Sequence, residues 1–241
     1  MKKLLIPICI IISLAACNRT HTDKNTVKAF VALNDALNHD NYFISEINET
    51  NRRIENAFVR DPKAAKPFFD ASGRVSKLSD VMVYVIHNLK TELVSEKSGK
   101  SLILDGADTM LQYVPNLAIK INMPDSIGHE LKRQLNEYRK YMIDVLKDKN
   151  IAGEKDTMRI GIDLLTPQIM HNEKDDHKET WEAHIFNDLP LAADVVLLTN
   201  LQQDVRRAEL KFLMYFYDRE QANWQHYKDS LRATGHPLIR I

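Results

Sequence analysis

The chain has two cysteines in 241 residues, and neither is placed to build a disulfide in a folded domain. Cys9 lies inside an apolar leader and Cys17 directly follows it, so everything downstream has no thiol to pair. A secreted domain of this kind must be held by its core alone. Glycine is scarce as well, with seven residues, which argues against tight-turn folds and phosphate-cradling loops. An excess of one charge is also missing. The 33 Lys and Arg balance the 33 Asp and Glu, so the chain as a whole lacks the basic footprint of a nucleic-acid binder. No nucleophile elbow, phosphate loop, His-Glu-x-x-His pair or dinucleotide fingerprint occurs. These absences make a non-enzymatic protein without a cofactor the expectation.

The leader is the first thing that is present. Lys2 and Lys3 precede the apolar run Leu4–Ile12, and Leu14-Ala15-Ala16-Cys17 follows. The run is short of the roughly 20 residues a membrane-spanning helix needs, and its layout is that of a secretory signal. The Cys after Leu-Ala-Ala resembles the lipobox of bacterial lipoproteins. The expected organisation is a signal peptide over residues 1–16, a lipidated Cys17 opening a linker over 17–26, and a helical domain over 27–241. Losing Lys2 and Lys3 leaves the acidic residues two ahead. Asn18 stands where an Asp would retain a lipoprotein in the inner membrane, so attachment to the outer membrane facing the periplasm is expected.

Helical periodicity fills most of the remainder. Val27, Phe30, Val31, Asn34, Leu37, Asn41, Ile44, Asn48, Ile54 and Phe58 predict one long helix up to Arg60, ended by Asp61-Pro62. Val75, Leu78, Met82, Val85, Leu89 and Leu93 predict a second, from Pro62 or Pro67 to Glu96, with Lys90 and Lys97 near its negative end. Residues 102–123 read as a short helix and an extended piece around Pro115. Ile127, Leu131, Leu135, Tyr138, Met142 and Val145 predict a third helix, capped by Asp125 or Ser126. Residues 150–178 read as a surface excursion in which Ile162–Leu165 forms a lid. Leu191, Val195, Leu198, Gln202, Val205, Ala208, Phe212 and Tyr215 predict a fourth helix from Pro190 to Ala233, roughly 60–65 Å long. The fold class is all-α: an elongated antiparallel bundle of four long helices, with short extra helices in the connections.

Three features could carry function. Tyr217, Trp224 and Tyr227, with Tyr215 and Phe216, crowd the end of the last helix and form a candidate partner surface, set against a purely packing role. Asn34, Asn38, Asn41 and Asn48 lie on or beside the first apolar face, where polar residues foremost fix helix register and secondarily could line a ligand groove. His171, Glu173, Asp175, Asp176, His177, Glu179 and His184 have metal-ligand side chains. Their spacing is irregular and Lys174 and Lys178 intrude, so the stretch reads as a solvated loop with no metal. Asp204 with Arg207 and Arg206 with Glu209 read as a solvated face of i,i+3 pairs.

Val75-Ser76-Lys77-Leu78-Ser79-Asp80 with Tyr84 and Leu89–Leu93, Asn136-Glu137-Tyr138-Arg139, and Leu189-Pro190-Leu191-Ala192-Ala193 with Leu197–Glu209 occur in that order. Together, with Trp181 ahead of the last helix, they are similar to the N-terminal domain of GldM, also called PorM, a gliding-motility and type IX secretion protein. The resemblance spans roughly Val27 to Tyr217. It implies a scaffolding or interaction role among protein partners of that machinery, with homodimerisation left open. Members of the family normally begin with a transmembrane helix and continue into β-rich domains. Here a lipobox replaces that helix, and the membrane is reached through lipidated Cys17. Two other readings stand beside this one: a periplasmic module that binds a lipid or glycan, and a metal-dependent enzyme built on His171–His184.

Overall fold

The computed structural model describes residues 24–98, 127–147, 151, 169–171, 178–186, 189 and 191–233. The leader, Cys17, most of the linker, residues 102–123, the Ile162–Leu165 segment and His177 lie outside the described residues. In chain order the elements are α1 (Lys24–His39), α2 (Tyr42–Arg60), α3 (Pro62–Ser98), α4 (Ile127–Leu146), β1 (Ile169–His171), β2 (Lys178–Thr180), α5 (Trp181–Phe186) and α6 (Leu191–Ala233). The protein is all-α apart from β1 and β2, a three-residue antiparallel ribbon pairing Ile169 with Thr180 and His171 with Lys178. Among the described residues no helix is long and apolar enough to cross a membrane.

Local chemistry sets the helix boundaries. Asp61 closes α2 by donating its backbone N–H to the Ala57 carbonyl at 3.0 Å. The same residue opens α3, its Oδ1 accepting the Ala64 N–H at 3.1 Å, with Pro62 at the first helical position, where a missing donor costs nothing. The single helix expected up to Arg60 is instead two. It breaks at Asp40-Asn41, within a run of four polar residues (Asn38 to Asn41) whose short side chains compete for backbone groups. His39 Nδ1 lies 2.7 Å from the Asp35 carbonyl, and the Asn41 carbonyl accepts the first bond of α2, from Ser45 at 2.9 Å. The break shifts the phase of the apolar face. Ile47, Thr50, Ile54 and Ala57 are buried in α2, whereas Ile44 and Asn48 are exposed.

The other apolar stripes follow the spacing with exceptions: in α3 Ile86 is buried while Leu78 and Val85 are only half-buried, and in α6 Gln202 and Tyr215 are half-buried. Val75, Met82, Ile86, Leu89 and Leu93 of α3 are buried. So are Leu131, Leu135, Tyr138, Met142 and Val145 of α4, and Leu191, Val195, Leu198, Val205, Ala208 and Phe212 of α6. The 43 residues of α6 span about 65 Å.

The chain divides into two compact units. Among the described residues, unit 1 holds α1, residues 82–98 of α3, 127–137 of α4, the ribbon, α5 and residues 191–203 of α6. Unit 2 holds α2, residues 62–81 of α3, 138–146 of α4 and 204–233 of α6. In unit 1, Phe30 packs with Leu189, Ala192, Ala193 and Val196, flanked by Leu33, Leu37 and Leu197. In unit 2, Phe58 stacks on Phe69 at 4.5 Å between ring centroids, and the Ser79 and Tyr138 hydroxyls meet at 2.8 Å inside the core.

These contacts also fix direction, and they correct the antiparallel expectation. In unit 1, Asn34 pairs with Thr199 and Leu37 with Gln203, so α1 runs parallel to α6. In unit 2, Arg53 meets Tyr217 and Arg60 meets Trp224, so α2 is parallel to α6 too. α3 opposes it, with Lys90 on Thr199 and Val83 on Gln202 in unit 1 and Ser76 on Glu209 and Asp80 on Arg206 in unit 2. An apolar stripe marks a face and is blind to direction.

Candidate functional site

The aromatic end of α6 in unit 2 is built around Trp224. The Arg60 guanidinium lies over its ring at 4.5 Å from the centroid, and the Lys228 ammonium at 5.9 Å. Arg60 Nη2 also donates to Glu220 Oε1 at 2.9 Å. Glu220 is only 1% exposed, and its other oxygen accepts from Gln221 Nε2 at 2.8 Å. Two helical turns toward the N-terminus, Arg53 sits 5.9 Å from the Tyr217 centroid. The three aromatics expected to form one partner surface are therefore used differently. Tyr217 and Trp224 are half-buried under arginines of α2, whereas Tyr227, 5.8 Å from Trp224, is 50% exposed. The match was visible as a spacing: Arg53 and Arg60 lie seven apart, as do Tyr217 and Trp224, and two parallel helices bring such pairs into step.

Unit 1 contains a buried polar cluster at the junction of α1, α3 and α6. Lys90 Nζ donates to Thr199 Oγ1 at 3.0 Å and to Gln202 Oε1 at 2.6 Å. Thr199 Oγ1 lies 2.7 Å from Asn34 Oδ1 and 2.9 Å from the Val195 carbonyl, two acceptors for its one proton. Gln202 Nε2 continues to the Val83 carbonyl at 2.9 Å, and Gln203 Nε2 ties α6 to the Leu37 carbonyl at 2.9 Å. Lys90 is only 3% exposed, and loss of hydration brings its pKa down to about 8. The side chain expected to interact with the helix's negative end is thus a core residue. Among the described residues, Asn34 Nδ2 is buried without a partner, as are both carboxyl oxygens of Asp194. Asp194 is fully enclosed, and burial holds its pKa well above the usual carboxylate range.

Of the asparagines read as register or groove residues, Asn34 alone is buried; Asn38, Asn41 and Asn48 are exposed. Asn34, Asn38 and Asn41 therefore do not line one buried groove: the first is enclosed and the other two face solvent where α1 gives way to α2. Glu182 of α5 accepts from Lys132 Nζ at 3.2 Å and lies 3.4 Å from His129 Nδ1. Burial pushes its carboxyl up, but its own backbone N–H, Lys132 and Thr180 outweigh that and hold it low. In unit 2, Arg206 bridges Glu209 and Asp80, each at 2.7 Å. Glu209 is buried, so the pair read as solvated belongs to the core, and burial raises the Glu209 carboxyl even with Arg206 beside it. His171 begins no described cluster, because its side chain, that of His184, and His177 lie outside the described residues. Among the described residues no three His, Cys, Asp or Glu side chains gather as a metal site.

The family model for the GldM N-terminal domain matches residues 26–218, well over half of the chain. Among curated proteins none matches it.

Proposed function

The chain belongs to the GldM N-terminal domain family, and from that premise we propose that it is a non-enzymatic envelope lipoprotein with a scaffolding or interaction role. The family match carries this reading, since it covers residues 26–218 and so parts of both units, ending within α6 after Tyr217 and before Trp224 and Tyr227. It supports a role related to gliding motility and type IX secretion, among protein partners at the cell envelope. The buried charges support a structural role too: Lys90 ties α3 to α6, Glu182 ties α5 to α4, Glu209 meets Ser76 of α3, and Glu220 meets Arg60 of α2. Lipidation at Cys17, a signal over residues 1–16 and attachment to the outer membrane facing the periplasm complete the proposal. The exposed Tyr227 and the half-buried Tyr217 and Trp224 are its candidate partner surface.

Crosslinking in the native envelope, followed by affinity purification of the chain, tests the reading. Partners from the secretion and gliding machinery are expected, and their absence from wild-type crosslinks would overturn it. Cys17→Ser should move the protein out of the membrane fraction; continued membrane association would reject the lipid anchor. A second reading, a module that binds a lipid or glycan, draws support from the unpartnered Asn34 amide and Asp194 carboxyl inside unit 1. Mass spectrometry of solvent extracts from the purified chain checks it, and a clean extract removes it.

A further inference from the structure

We propose that the solvent face of α3 in unit 2 docks an acidic helical segment of a protein partner. This rests on the interaction reading and gives it a surface and a chemistry. Lys63, Lys66, Arg74 and Lys77 are all exposed, and their spacings of three, eight and three residues put them on one face of the helix. They extend along about 21 Å of helix. Asp70 is the one acidic residue in that row, and Lys66 neutralises it at 3.1 Å. Among the described residues, Lys63, Arg74 and Lys77 have no ion-pair partner. That sets them apart from Arg52, Arg53, Arg133, Lys147 and Arg206, each of which meets a carboxylate.

Gly73 sits on the same face, three residues from Asp70 and four from Lys77. It is exposed, its helix continues on both sides, and a Cβ placed there would meet nothing within 4 Å. A mid-helix glycine costs roughly 1 kcal/mol relative to alanine, and no packing inside the molecule requires it. A second backbone approaching closely between the cations would use the missing side chain. Val81, 55% exposed, follows Lys77 by one turn and adds an apolar side chain to the same face.

The occupant follows from the charge. Among the described residues, unit 2 holds 16 Lys and Arg against 12 Asp and Glu, while unit 1 holds 7 against 9. An anion is therefore steered to unit 2. A helix bearing carboxylates every three or four residues matches the cation spacing and can seat its backbone at Gly73. A flat anionic lipid surface would gain nothing from the glycine.

The test uses the purified chain and a labelled helical peptide with Glu every three and four residues on an alanine background. The comparison probes are the same composition scrambled off one face, and vesicles containing phosphatidylglycerol. Fluorescence anisotropy at low salt should show the patterned peptide bound about tenfold more tightly than the scrambled one. Lys63→Glu, Arg74→Glu and Lys77→Glu together should weaken it at least about tenfold with little change in melting temperature. Gly73→Leu should weaken the peptide several-fold without affecting the fold, by filling the approach. Equal binding of the two peptides, indifference to the charge reversal or to Gly73→Leu, or binding of vesicles alone would each overturn the proposal. Crosslinks in the envelope separate it from the function it rests on. Partners retained by the charge-reversed chain defeat the α3 surface only, whereas a wild-type chain without partners defeats the interaction reading itself.

Discussion

Unit 2 answers buried charge with opposite charge, and unit 1 does so only in part. In unit 2, the buried carboxylates Glu209 and Glu220 each face an arginine, at 2.7 and 2.9 Å. In unit 1, Lys132 and Glu182 form such a pair, but among the described residues the Lys90 ammonium meets only a hydroxyl and an amide, and the Asp194 carboxyl meets nothing. A paired buried charge adds little net stability, yet is costly to break. An unpaired one costs stability from the start and is relieved by changing its protonation. The two units should therefore respond in opposite ways to removal of a charge, and at different pH.

The largest effect is expected from Arg206→Met. It leaves Glu209 buried without its cation, a change that typically costs about 3–5 kcal/mol. Burial already raises the Glu209 carboxyl, so acid can neutralise the stranded group. Urea melts at pH 8 and pH 5 should show the larger loss at pH 8. An equal loss at both would mean that Glu209 does not depend on Arg206, and the contrast between units would weaken.

Asp194→Ala should act in the other direction. Removing a buried group with no hydrogen-bond partner recovers its desolvation cost, about 1–2 kcal/mol after a small cavity is allowed for. The folded pKa of Asp194 lies above its unfolded value. The folded state thus binds the extra proton, and wild-type stability falls as pH rises from about 4 through the folded pKa. The stabilisation by Asp194→Ala should accordingly be larger at pH 7 than at pH 4. Melting temperatures across that range decide it, and a destabilised variant at pH 7 would show that Asp194 has a partner in solution.

A smaller and more diagnostic change is expected at Lys90. Its folded pKa near 8 lies below the ordinary lysine value, so between about pH 8 and 10.5 the unfolded chain holds a proton that the folded one has released. Stability from this group therefore rises with pH across that window. Lys90→Met should change stability by no more than about 1 kcal/mol at pH 7, since it removes a desolvated charge along with two hydrogen bonds. The rise between pH 8 and 10.5 should disappear. If the slope survives the substitution, another group titrates there.

Much of this fold was legible in the chain because apolar spacing reports which face of a helix is buried. Leu131 to Val145 obey it at each position, whereas in α3 Ile86 is enclosed in place of Val85 and in α6 Gln202 is half-buried. Spacing carries no information on direction, so α6 running parallel to α1 and α2 could not be read from it. It also runs straight through Asp40-Asn41, where local polar competition breaks the helix and turns Ile44 outward. The ribbon and α5 are too short to leave a period at all. The family resemblance was legible because its segments recur in order. The buried polar residues were not, since a lysine such as Lys90 is rarely enclosed and becomes so only where three helices converge. One sign was available: Asp194 interrupts the apolar run from Leu191 to Leu198.

The smallest stability effect, and the most telling one for function, separates Trp224 from Tyr227 at the end of unit 2. Trp224 lies between Arg60 and Lys228, contacts worth about 0.5–2 kcal/mol according to their exposure. Trp224→Ala should therefore cost about 1 kcal/mol and loosen α6 from α2. Tyr227 is half exposed and its ring tilts 33° against Trp224, so Tyr227→Ala should change stability by about 0.5 kcal/mol or less. If this end meets a partner, the order reverses in binding, because an accessible tyrosine is a typical interface anchor. Tyr227→Ala should then lose envelope crosslinks while melting like wild type. A variant that melts normally and keeps every crosslink would assign the aromatic end to packing alone.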